Sequence, residues 1–192
     1  MKQYLLGVIN IETDKYEHIL HVEKPNKYKC IGCGDELILR KGEKLFQNFV
    51  HKNLVSCGYF KTPTQDQLIS DAKMFLQRLI ETNLVTIYKQ CSICKFKHRV
   101  DLPVFDETTS ISMNYGKGKN FMDLVYLDSN NNIICGFEVY DGEPKKIRKT
   151  QYPYYQINMF ELIYRITRSF ATNKIELNCN FKIICTSCEQ YL

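Results

Sequence analysis

Two acids stand where a sheet core is expected. In FMDLVYLDSNNNIICGFEVYDGEPKK, residues 121–146, Asp123 lies inside one apolar run and Glu138 inside the next, on either side of a turn-like SNNN. Burying a lone carboxylate costs several kcal/mol unless it is paired or neutralised. A two-residue turn at Asn130 and Asn131, with Ser129 opposite Asn132, sets Asp123 directly across from Glu138, with Cβ atoms about 4.5–5.5 Å apart. Alternation then puts Phe121, Asp123, Val125, Gly136, Glu138 and Tyr140 on one face, and Met122, Leu124, Tyr126, Cys135, Phe137 and Val139 on a core face. Like charges directly opposite destabilise a sheet. A divalent cation between them offsets the repulsion, and Mg²⁺ favours one or two carboxylates completed by waters and substrate phosphate. The alternatives are a solvated face, or acids paired with Lys119 or Lys145.

The cysteines suggest a different metal. Of nine, six form the pairs Cys30/Cys33, Cys91/Cys94 and Cys185/Cys188, each C-x-x-C. Thiolates separated by two residues can both reach one tetrahedral Zn²⁺. His51 and Cys57 follow Cys30 and Cys33 within the same small segment and complete a four-ligand set. Cys91 and Cys94 follow a strand-like run, as do Cys185 and Cys188. If strands 84–90 and 180–184 lie parallel, their exits share an edge and the four thiolates close a second site. His98 is a substitute ligand there, and Cys135 and Cys179 are left without a metal role. Neither cluster keeps an open coordination position, so any zinc, at one site or two, is structural. The alternative for both is buried free cysteine.

These residues need a scaffold. Residues 1–62 read as short strands, QYLLGVIN, YEHILHV, KYKC, LILR and KLFQNFVH, broken by polar turns. In residues 65–82, Leu68, Ile69, Ala72, Phe75, Leu76, Leu79 and Ile80 make one helical apolar stripe, with Pro63 and Thr64 ahead of it. Strand-like LVTIYKQ follows, then the second knuckle and KHRVDLPV. Residues 106–119 read as a loop or irregular hairpin. After the two acid-bearing strands come a helix over 156–170 and a last strand over 175–185. The boundaries expected are a β-rich zinc module at 1–62 and a second domain at 63–192.

At 192 residues, 44% hydrophobic and 24% charged, the chain has the composition of a globular protein. A net charge of +5 is compatible with a polyanionic partner, and Lys145, Lys146, Arg148 and Lys149 concentrate it just after the acids. The N-terminal apolar run is too short for a signal peptide or a membrane span, which leads to an expectation of an intracellular, reducing location and no membrane partner.

Asp, a turn, then Glu on the next strand, with a helix before and a crossover helix after, resembles the PD-(D/E)xK nuclease fold. More specifically, YKCIGCGDELILRKGEKLFQNFVHK, TPTQDQLISDAKMFLQRLI, FMDLVYLDSNNNIICGFEVY and YPYYQINMFELI, in that order, resemble the competence protein CoiA-like family, including its versions from large DNA viruses. The resemblance implies an α+β chain: a restriction-endonuclease-like mixed sheet flanked by helices, preceded by the small zinc module. It also implies a Mg²⁺- or Mn²⁺-dependent DNA nuclease of the processing, recombination or repair type. Asp123 and Glu138 would hold the metal, and Tyr140 would fill the slot that normally holds a lysine and orient water. Lys119 is the candidate replacement lysine, and Lys145, Lys146, Arg148 and Lys149 would meet phosphate. Gln65 and Gln156 stand where such nucleases often carry Glu on their two helices. Exposed Tyr152, Tyr154 and Tyr155 could stack on bases. DNA is the expected partner, with a homodimer left open. The rival readings are a degenerate, zinc-stabilised nucleic-acid-binding protein and a protein-interaction scaffold.

Overall fold

A computed structural model describes residues 7–19, 22–40, 48–53, 57–61, 64–116, 121–144, 150–162, 175–183 and 186–189. Lys119, Lys145, Lys146, Arg148, Lys149, Cys185 and the stretch 163–170 of the expected second helix lie outside them. The chain forms two compact units, Met1–Arg78 and Leu79–Leu192. The division falls inside the long helix, whereas the boundary expected from sequence, 62/63, lies ahead of it.

The first unit is a five-stranded antiparallel sheet in the order β2-β1-β3-β4-β5, formed by β1 (Gly7–Asn10), β2 (Tyr16–His18), β3 (Tyr28–Lys29), β4 (Glu36–Arg40) and β5 (Asn48–His51). Every strand is short, so the sheet depends on its small core of Val8, Val22, Tyr28, Leu37, Leu39, Phe49 and Tyr59. A four-residue helix, α1 (Gly58–Lys61), follows. The long helix, α2 (Gln65–Glu81), starts as its sequence predicts. Thr64 and Gln67 form a reciprocal capping box: Gln67 N donates to Thr64 Oγ1 at 3.3 Å and Thr64 N to Gln67 Oε1 at 2.9 Å. Asp71, on that helix and buried, accepts from Tyr16 Oη at 2.8 Å, and burial beside this carboxylate raises the Tyr16 phenol well above its ordinary value.

The second unit carries a seven-stranded mixed sheet, β7-β6-β12-β11-β10-β9-β8. Its strands are β6 (Val85–Cys91), β7 (Lys97–Val100), β8 (Ser110–Tyr115), β9 (Met122–Leu127), β10 (Ile133–Tyr140), β11 (Tyr154–Asn158) and β12 (Ile175–Ile183). β6 and β12 are parallel, with Ile183 beside Cys91, as the cysteine spacing requires. Two further helices are short in their described parts: α3, at 159–162, and α4 (Thr186–Glu189).

Of the two readings of 106–119, loop or irregular hairpin, the second fits: residues 110–115 form the edge strand β8, antiparallel to β9. Other expectations are corrected. Residues 156–158, expected as helix, belong instead to strand β11; the helix begins at 159, where Asn158 Oδ1 accepts from Phe160 N and Glu161 N at 2.9 and 3.1 Å. The aromatic, β-branched run YYQI, buried throughout, favours a central strand over a helix start. The turn between β9 and β10 also differs. Asp128 N bonds to Asn132 O at 3.0 Å, and among these residues only Asn131 takes a positive φ, 61°. A bulge between Ile133 and Cys135 then shifts the register back, so that Cys135, Gly136 and Phe137 face Tyr126, Val125 and Leu124. The longer turn and the bulge cancel, and the predicted pairing survives.

Candidate metal centres

Continuing the β9/β10 ladder past Phe137 and Leu124 brings Glu138 across from Asp123. Both are buried, at 3% and 6% exposure. Neither face is solvated, since β9 is buried at every position, which overturns the expectation of one core face. Alternation also breaks at Asp123. Met122 packs with Val125, Leu127 and Tyr154, and a Cβ on Gly136 would lie 2.4 Å from Met122 Sδ, so glycine makes room for that side chain. Asp123 Oδ2 accepts from Val139 N at 2.8 Å, taking the place of a main-chain acceptor.

Glu138 is held from the other side by β11, which runs parallel to β10 with Gly136 beside Tyr154 and Glu138 beside Gln156. Tyr154 Oη and Gln156 Nε2 both donate to Glu138 Oε2, the latter at 3.1 Å. Gln156 is thus a strand residue next to Glu138, not a helix residue; misreading β11 as helix hid this contact. Tyr154 and Tyr155 are buried, at 2% and 4%, so their expected role as exposed stacking rings does not hold. Tyr140, in the lysine slot, is partly buried and hydrogen-bonded to Asn158, the α3 cap, and burial raises its phenol above the ordinary value.

The cysteine sites are built from turns. After β3, Gly34 takes φ 75°, and its N–H returns to Cys30 O at 2.8 Å while Cys30 N reaches Asp35 O at 2.8 Å. This knuckle brings Cys30 and Cys33 together, β5 supplies His51, and Cys57 immediately precedes α1. Their ligand atoms lie within 4.8 Å of one another. Cys30 Sγ to Cys57 Sγ is 3.8 Å, and Cys33 Sγ to His51 Nε2 is 3.3 Å. Sulfurs about 2.3 Å from a tetrahedral ion are separated by about 3.8 Å, so the set could hold zinc. Burial pushes the Cys30 thiol up to about 12, and zinc binding must displace that proton.

Cys91, Cys94 and Cys188 form a second group with ligand atoms within 4.8 Å of one another, and Cys91 Sγ to Cys188 Sγ is again 3.8 Å. The knuckle is closed by Lys95, at φ 62°, whose N–H returns to Cys91 O at 3.1 Å. His98 is not part of this group; it sits on β7 beside Lys89. This group too could hold zinc.

The molecule is therefore a β-rich module with a Cys/His metal cluster, joined to a mixed-sheet unit that carries a buried acid pair. Residues 11–60 match the model of the competence protein CoiA N-terminal domain, a span that contains all four ligands of the first cluster, and this supports a CoiA-like family relationship. No curated protein and no solved structure matches the chain. Among the described residues, no helix is long and apolar enough to cross a membrane.

Proposed function

We propose that the chain is a metal-dependent nuclease acting on DNA, of the processing, recombination or repair type, with a restriction-endonuclease-like second unit. The observation that carries this reading is the pair Asp123 and Glu138, both buried, on the adjacent strands β9 and β10 of a mixed sheet. Two buried carboxylates sharing a site are costly without a cation, and their oxygens suit Mg²⁺ or Mn²⁺. When bound, such a cation would polarise a phosphodiester and lower the pKa of a coordinated water. The chain's own contribution is positional. Val139 N fixes the Asp123 carboxylate, and Tyr154 and Gln156 fix that of Glu138. Tyr140, its phenol held protonated, would donate to a water rather than deprotonate it. The connection from β10 to β11 contains Lys145, Lys146, Arg148 and Lys149, whose charge would neutralise phosphates and make binding salt-sensitive. Lys119, whose parity in the sequence matches that of Asp123, would be the substitute for the missing lysine.

One observation favours binding without cleavage: the lysine slot holds Tyr140, whose side chain is already bonded to Asn158. The test is a cleavage assay with Mg²⁺ or Mn²⁺ on single-stranded, duplex and branched DNA, using wild type, Asp123→Ala and Glu138→Ala. Cutting by wild type that falls at least about a thousandfold in both variants is expected, corresponding to ~4 kcal/mol of barrier. Salt-sensitive binding that persists in both variants, with no cutting by any protein, would establish the degenerate reading instead.

A further inference from the structure

The second cysteine turn presents more than its thiols. Phe96 stands 73% exposed just beyond it, and Ile93 is 47% exposed within it. The backbone that carries them is fixed from several sides: Cys91 N donates to Phe96 O at 2.9 Å, Lys95 N to Cys91 O at 3.1 Å, and Gln90 Nε2 to Lys95 O at 3.0 Å. The core draws on Ile87, Cys91 and Val100 of the same two strands, and the Phe96 ring adds nothing to it. A single exposed apolar side chain needs no explanation; an aromatic ring held rigidly between cations does. Lys95, Lys97 and Arg99 are exposed, Lys97 and Arg99 share a face of β7, and residues 82–100 contain no acid. Two acids neighbour the patch. Asp101 lies 3.9 Å from Arg99 with both side chains exposed, an arrangement worth little in water. Glu176 accepts from the Oη of Tyr88, the residue opposite Arg99, at 3.3 Å.

We propose that this turn and the start of β7 form a binding surface for single-stranded DNA, with Phe96 stacking on a base and Lys95, Lys97 and Arg99 meeting the flanking phosphates. The two halves of the patch select the occupant together. A polyanion satisfies the cations, and only a strand whose bases are unstacked offers a free π-face to the ring. An apolar protein surface would cover Phe96 but leave the cations desolvated; a duplex would meet the cations and leave Phe96 in water. That the strand is DNA rests on the functional reading above. β7 is the edge strand of its sheet, four strand positions from β10, so the surface lies apart from the acid pair and would hold a strand without cutting it.

The experiment is fluorescence anisotropy of a labelled mixed-sequence oligonucleotide with zinc-loaded, full-length protein in buffer free of Mg²⁺. The probe is supplied as single-stranded DNA, duplex DNA and single-stranded RNA, and thermal melting with zinc content confirms that each variant folds. Wild type should bind single-stranded DNA more tightly than duplex. Phe96→Ala should weaken single-strand binding about tenfold, the loss of one stacked base, and leave duplex binding unchanged. Phe96→Tyr keeps the ring and should bind within about threefold of wild type. Lys97→Gln combined with Arg99→Gln should flatten the slope of log affinity against log salt by about 1.4, as for two phosphate contacts on a single strand. Asp123→Ala should bind as wild type does. Unchanged affinity in Phe96→Ala, an equal loss on duplex, or tighter binding of RNA than of DNA overturns the inference, as does absence of single-strand binding by wild type. None of these outcomes touches the cleavage test of Asp123 and Glu138, so the nuclease reading stands or falls separately.

Discussion

The two cysteine knuckles share a backbone and differ in what they join. Each is a C-x-x-C turn closed by a left-handed residue whose N–H returns to the first cysteine, Gly34 to Cys30 and Lys95 to Cys91. Each cysteine's own N–H then bonds to the carbonyl two residues beyond the second, Asp35 in one case and Phe96 in the other. In the first unit every candidate ligand lies within residues 30–57, so a metal held there would staple a small module whose strands are short. In the second unit the partner thiol, Cys188, is far along the chain, and a metal held there would tie the exits of two parallel strands. With zinc bound, the same local chemistry would be a folding requirement in one place and a clamp on an existing sheet in the other.

That contrast can be broken by experiment. Cys33→Ser should unfold the first unit, because structural zinc supplies on the order of 10 kcal/mol of apparent folding free energy in small domains; circular dichroism and zinc content would report it together. A first unit that stays folded without zinc would refute the contrast. Cys188→Ser should cost less, about 3 kcal/mol, a value typical of losing a long-loop cross-link, and should release one zinc while the β6/β12 amides exchange faster. Smaller still are the two left-handed residues. Gly34→Ala, at φ 75°, should destabilise by about 1–2 kcal/mol, and Lys95→Gly, relieving φ 62°, should stabilise by about 1 kcal/mol.

The smallest effect concerns the turn that sets the acid register. Asp128 accepts from Asn132 and Asn130, and the Asn132 bonds in particular hold its carboxyl below the usual value. Its folded value therefore lies below its unfolded one. The turn's contribution is present above the ordinary Asp range, near 3.9, and is lost as the pH falls through the lower folded value. Carboxyl NMR titration should show Asp128 titrating below the ordinary aspartate value, and Asp128→Ala should flatten the acid limb of the stability curve.

Much of this was legible in the sequence where a pattern had only one physical solution. The stripe from Leu68 to Ile80, the C-x-x-C spacing and the β6/β12 pairing all follow from periodicity or ligand geometry. The Asp123/Glu138 register was right although its turn was not, because the residue added by the longer loop is taken up by the bulge before Cys135. What failed was β11. Its apolar and aromatic residues fit a helix as well as a buried strand, and short apolar runs do not separate the two. That error hid Gln156, whose role depends on a parallel partner fixed by the crossover rather than by any local signal. The stretch holding β8 reads as loop or irregular hairpin because it is polar and contains glycine, and its antiparallel pairing with β9 decides for the second.

The central claim is a division of labour: thiolates hold the scaffold and oxygens do the chemistry. The most direct test measures zinc content and Mg²⁺-dependent DNA cutting on the same preparation of Asp123→Asn. The prediction is two zinc ions per chain, as in wild type, with cutting lost. A variant that still cuts, or one that loses zinc together with cutting, would contradict it.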